Sequence, residues 1–182
     1  MHKPGLKTEV QMAEAVARQL KNSAREVKVG DCIFDVVAYD KGQRLFRLVE
    51  CKLGSKAASI GHAFGQVAAY YAVVVDQGYH FVDTFSKKVE PRLRFGRLLE
   101  ATEGKQIRVE FYVALTDEAC ERVDLLRSVK RLLPDVGIIR VKADGRCRDH
   151  VHEHGKGDYE LAQARPMLIK ILQPTEPANG TE

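Results

Sequence analysis

"CIFDVVAYDKGQRLFRLVECKL", residues 32–53, decides how this chain folds. Residues 32–39 form a continuous apolar run broken by one acid, Asp35, the pattern of a strand buried on both faces. "DKGQ" (40–43) is a turn, and "RLFRLVECKL" (44–53) is the strand that returns. Strand alternation puts Glu50 and Lys52 on one face, roughly 7 Å apart along the chain, and turns Cys51 the other way into packing. The hairpin brings Asp35 close to Glu50. An ionised carboxylate buried without a partner is costly, and two side by side repel unless a cation sits between them. A divalent, oxygen-seeking ion such as Mg²⁺ (or Mn²⁺) answers that need, with waters completing its octahedron. Lys52 can then help activate a metal-bound water and stabilise charge on a phosphate.

Upstream of the hairpin, residues 8–21 read as an amphipathic helix, with Thr8 as N-cap and Val10, Ala13, Val16, Ala17 and Leu20 at helical spacing. A short strand is expected over 26–29. Downstream, a loop with Gly54, Ser55 and Ser59 leads into a helix over 60–77, closed by Gly78 as its C-cap. "VEPRLRFGRLLEATEG" (89–104) reads as a helix starting near Pro91, "IRVEFYVALT" (107–116) as a strand, and residues 117–133 as a helix ended by Pro134. "VGIIRVKA" (136–143) is another strand, and "RPMLIKIL" (165–172) an edge strand. Helix, strands, helix, then strand, helix, strand argues for an α/β fold around a mixed central β-sheet.

The 182 residues suit one domain with a sizeable core, taken here as 1–173, followed by a disordered tail at 174–182, "PTEPANGTE". Hydrophobic residues make up 45% and charged residues 30%, a globular profile. The net charge of +4 permits a nucleic-acid partner. Cys32, Cys51, Cys120 and Cys147 are widely spaced with no C-x-x-C pair, which argues against a disulfide framework and fits a reducing, cytoplasmic setting. "MHKPGLKTEV" has no apolar core of a signal peptide, and no stretch approaches the ~18 apolar residues of a membrane span. No GxGxxG, P-loop or G-x-S-x-G motif is present, so nucleotide hydrolysis and acyl transfer lack support.

Asp35 followed by Glu50-Cys51-Lys52, in a strand–turn–strand context, resembles the PD-(D/E)xK nuclease superfamily, with Phe34 where its motif has proline. "Gln66-Val67-Ala68-Ala69-Tyr70" matches the Q-x-x-x-Y motif that follows E-x-K in several exonuclease-type members. The resemblance covers residues 8–75. It implies a restriction-endonuclease-like core, a mixed sheet flanked by helices on both faces, and Mg²⁺-dependent hydrolysis of DNA in restriction, repair or recombination. It implies Asp35 and Glu50 as metal ligands, Lys52 as the partner of water and phosphate, and an acid from the first helix. Glu9 shares a face with Met12 and Val16 and is preferred to Glu14 for that role; as a helix N-terminal acid it would equally be favoured by the dipole. His62, Gln66 and Tyr70 form one ridge at i, i+4 and i+8, with Gln66 and Tyr70 as outer positioning groups.

Basic residues gather at Lys87, Lys88, Arg92, Arg94 and Arg97, at Arg127, Lys130 and Arg131, and at Arg140, Lys142, Arg146 and Arg148. Arg92, Arg94, Arg97, Lys130 and Arg131 are the candidate DNA contacts; ordinary solvated faces would look the same. No sequence-reading DNA motif accompanies them. His150, His152 and His154, with Cys147, would share a strand face able to hold Zn²⁺, but the spacing of a zinc site is missing and a polar hairpin tip explains them as well. A catalytically inactive nuclease-like module that binds DNA or protein, or a structural α/β domain, is the alternative reading, and a homodimer is left open.

Overall fold

The hairpin forms where the apolar runs place it. In a computed structural model that describes residues 6–89, 98–149 and 164–172, β1 (Ser23–Val29) and β2 (Cys32–Asp40) pair antiparallel, and β2 pairs antiparallel with β3 (Leu45–Lys52). β4 (Gln106–Thr116) then runs parallel to β3, and β5 (Val136–Val141) parallel to β4. β6 (Cys147–Asp149) closes that side antiparallel to β5, and β7 (Met167–Lys170) pairs with Gln106–Val109, the part of β4 that β5 leaves uncovered. The result is an α/β fold on a mixed, open, seven-stranded sheet.

Helices cover both faces. α1 (Glu9–Gln19) is capped by the Thr8 hydroxyl, which accepts from the Gln11 N–H, and sets Met12, Ala13 and Val16 on Val36, Val49, Cys51, Ala114, Ile139 and Val141. α2 (Ala57–Asp76) and α3 (Gly78–Val89) pack on the opposite face. There Phe34, Phe46, Phe81 and Phe85 meet edge to face with centroids 5.2–5.5 Å apart. α4 (Leu98–Thr102), α5 (Asp117–Cys120) and α6 (Val123–Leu132) complete the described elements.

Three expectations need correction. Gly78 does not cap α2; Gln77 ends it and Gly78 opens α3, a helix the sequence reading left out. The glycine is there for space, since a Cβ would lie 3.1 Å from Ile171 Cδ1. The single helix over 117–133 is two, broken at Glu121 and Arg122. In the 89–104 segment the described helix is only α4, residues 90–97 lying outside the described part. Finally, α2 is long and apolar enough to cross a membrane, contrary to the expectation that no stretch is. Its Ile60, Ala63, Phe64, Val67, Tyr70 and Val74 are buried against the sheet, the use a core helix makes of such a face. The tail and His150, His152 and His154 also fall outside the described residues.

Candidate active site

The site lies where the sheet divides. The β2–β3 ladder stops at Val36↔Val49. Beyond it, residues 32–34 of β2 remain paired with β1, while Glu50, Cys51 and Lys52 remain paired with β4 through Val113, Ala114 and Leu115. β2 also kinks here. Phe34 and Val37 enter the same core although three residues apart, Val36 enters the other, and Glu26, across from the kink, has a φ of 51°. Asp35 and Glu50 stand on the two sides of this fork.

The fork leaves backbone groups that the ladder would have satisfied, and side chains take them up. The Cys51 N–H donates to Asp35 Oδ2 at 2.8 Å. Asp35 and Glu50 lie close enough for the charge of Asp35 to bear on Glu50. The Tyr70 hydroxyl lies 2.5 Å from Glu50 Oε2 and 2.7 Å from the Ile33 carbonyl, its one proton serving both. Tyr70 itself is pinned by its ring against Phe34, centroids 4.5 Å apart. Glu50 is only 3 % exposed, and burial, reinforced by the Asp35 charge, pushes its pKa up to about 8. Burial also raises Asp35, against the pull of the Cys51 N–H, and the Glu9 charge adds to the rise. At neutral pH without metal, Glu50 therefore holds a proton where a cation would otherwise balance the pair.

Lys52 reaches Glu9: Nζ lies 2.9 Å from Glu9 Oε1. Glu14 instead bonds Arg25 at 3.0 Å, away from the acids, so Glu9 is the first-helix acid at the site. Gln66 is half-buried and its Oε1 is buried with no hydrogen-bond partner among the described residues, while His62, one turn earlier, is exposed. An acceptor sealed without a donor is costly unless something outside the chain supplies one.

The donor set suits a hard cation: two carboxyls, with no thiolate or imidazole bonded to them among the described residues, which is the chemistry of Mg²⁺ or Mn²⁺ rather than Zn²⁺. Among the described residues no three His, Cys, Asp or Glu gather around one point, so the protein would supply two ligands and leave the rest to water or substrate.

The nucleic-acid candidates divide. Lys130 is a correction: it is 8 % exposed, and its ammonium donates to the Pro134 and Val136 carbonyls, tying the turn between α6 and β5. Burial lowers its pKa to about 8. A lysine used that way cannot lie on a phosphate. Arg131 is exposed, as the expectation requires, and Arg92, Arg94 and Arg97 fall outside the described residues. Arg140 is held by Asp117.

One set of groups escaped the sequence reading. The Ser55 hydroxyl donates to Glu118 at 2.7 Å and Arg122 donates to the Ser55 carbonyl at 3.1 Å, anchoring the loop between Lys52 and α2. These partners are more than 60 positions apart, and no local pattern announces them. An open cleft of about 560 Å³ lies elsewhere, along β1, walled by Glu14, Arg18, Arg25, Glu26 and Lys88. No family model matches the chain, and no curated protein or solved structure matches it either.

Proposed function

We propose that this chain is a divalent-metal-dependent deoxyribonuclease with a restriction-endonuclease-like core. The observation that carries the proposal is the fork: the sheet gives up its β2–β3 ladder at the one place where two acids, a buried tyrosine hydroxyl and a lysine converge. Two facing carboxyls in a half-buried cleft are expensive to keep, and a cation between them removes the expense. A mixed sheet clothed by α1 on one face and α2 on the other fits such a core.

Asp35 and Glu50 would hold the ion, which when bound polarises the phosphodiester and lowers the pKa of a water. Tyr70 fixes the rotamer of Glu50 by donating to Oε2, which would leave Oε1 for the ion. The Cys51 N–H does the same for Asp35. Lys52 supplies positive charge to the phosphate as the bond to the leaving oxygen breaks. Gln66 Oε1, buried without a donor among the described residues, would accept from a water or a substrate group.

The decisive experiment incubates plasmid, linear duplex and single-stranded DNA with the protein and Mg²⁺, Mn²⁺ or EDTA. Cleavage is expected with either metal and not with EDTA. Asp35→Ala and Glu50→Ala should abolish it while leaving the circular dichroism unchanged. Glu50→Ala cutting as fast as the wild type would mean the centre is elsewhere. A second reading, a nuclease-like module that grips DNA or a protein without cutting, draws on the small number of acids gathered at the fork. Binding with no cleavage under any metal would favour it. A role in restriction, repair or recombination belongs to the first reading.

A further inference from the structure

Lys52 is not where its strand position alone would put it. Alternation sends it to the α2 face with Glu50, yet its ammonium meets Glu9 on α1, which covers the opposite face. The side chain therefore passes round the end of β3, across the mouth of the fork. Glu9 is held there by its place as the first residue of a capped helix, with Thr8 bonded to the Gln11 N–H and Gln11 Oε1 accepting from the Lys7 N–H. Its ion pair with Lys52, two residues past Glu50 on β3, puts it at the same mouth.

Resting on the nuclease reading, we infer that Glu9 is a displaceable latch on Lys52: it holds the ammonium in the free protein, and a DNA phosphate must take the lysine from it. An anion at the entrance of a centre that admits a polyanion opposes binding. Paired with the site's own lysine, it opposes binding by occupying the group the phosphate needs. The Lys52 and Glu9 side chains are 20% and 45% exposed. A pair so wetted is worth at most about fivefold in an equilibrium constant, weak enough for a phosphate to replace. Glu9 is then a positioning residue that acts through Lys52 and is not a metal ligand.

The test measures binding of a fluorescent DNA duplex and single strand at low salt in EDTA, with wild type, Glu9→Gln, Lys52→Ala and the double variant. Glu14→Gln, five residues along the same helix and paired to Arg25, controls for simple loss of negative charge. Glu9→Gln should tighten binding about two- to fivefold. The gain should vanish in the Lys52→Ala background and be absent in Glu14→Gln. An equal gain with and without Lys52, no gain, or weaker binding would each overturn the latch. In parallel, the Mg²⁺ midpoint of single-turnover cleavage should move by less than about tenfold in Glu9→Gln; a shift of about a hundredfold would make Glu9 a metal ligand and also overturn it. Wild type that cuts DNA while Glu9→Gln shows no gain removes the latch alone. Wild type that neither cuts nor binds removes the nuclease reading and the latch with it.

Discussion

Glu50 keeps its proton up to about pH 8 because it is sealed behind Tyr70 and faces Asp35. An unfolded chain releases that proton near the ordinary carboxylate value, 4.5. Between those two pH values the folded protein binds the extra proton, so raising the pH through the window destabilises it, and above about 8 the loss is complete. Asp35, also raised, acts in the same direction. Metal-free protein should therefore lose stability between pH 5 and 8 relative to Glu50→Gln, by on the order of a few kcal/mol, in urea titrations at several pH values. Parallel curves for the two proteins would show that Glu50 is not buried as described. Lys52→Ala should lower turnover far more than DNA affinity, because its transition-state role is unshared while many basic groups share the grip. Single-turnover rates beside binding titrations check this, and equal losses would make Lys52 a grip residue. At this scale much of the site was legible. The meeting of Asp35 with Glu50 follows from the hairpin and the preference for Glu9 over Glu14 from helical spacing, while the kink at Asp35 and the turn of Lys52 toward α1 do not follow from alternation. Lys130 was not legible, because a lysine that snorkels into a turn and one that faces solvent look identical in sequence.

Elements with strong local patterns came through: α1 with its Thr8 cap, the β2–β3 hairpin and β4 all lie within a few residues of their expected bounds. α3 was lost because a glycine at its first residue looks like the end of the helix before it, and the tight approach of Ile171, some 90 positions on, cannot be read from the local sequence. The loop that carries the chain from Lys52 into α2 is tight in the same way. A Cβ on Gly54 would lie 2.6 Å from Ser59 Oγ and 2.8 Å from its Cβ. Gly54→Ala should cost about 1–3 kcal/mol in chemical denaturation, and Ser59→Gly should recover part of it in the double variant. Full additivity of the two would mean they do not touch. Lys130→Ala should likewise cost about 1–3 kcal/mol, by leaving two turn carbonyls without their donor, and should not alter the salt dependence of DNA binding.

For the molecule as a whole, the nuclease reading assigns the grip on DNA to basic residues outside the acidic cleft. Replacing Arg92, Arg94 and Arg97 together should weaken binding, reduce the slope of log affinity against log salt by up to about 2–3, and spare cleavage at saturating DNA. An unchanged slope would place DNA on another surface. The fork has a mechanical consequence as well. Below Val36↔Val49 the sheet is one board; above it, β1 with β2 and β3 with β4 are two leaves, each fully laced on its outer side. On the nuclease reading DNA enters at this fork, where no β2–β3 ladder bond has to be broken to make room for it. The Tyr70 hydroxyl joins the Ile33 carbonyl to Glu50 across the gap, and one backbone amide crosses it too, the Cys51 N–H to the Asp35 carboxylate. In amide hydrogen exchange that single proton should exchange sooner than its neighbours in the laced part of β3, sooner still in Asp35→Ala, and so act as an unlabelled gauge of how far the leaves stand apart.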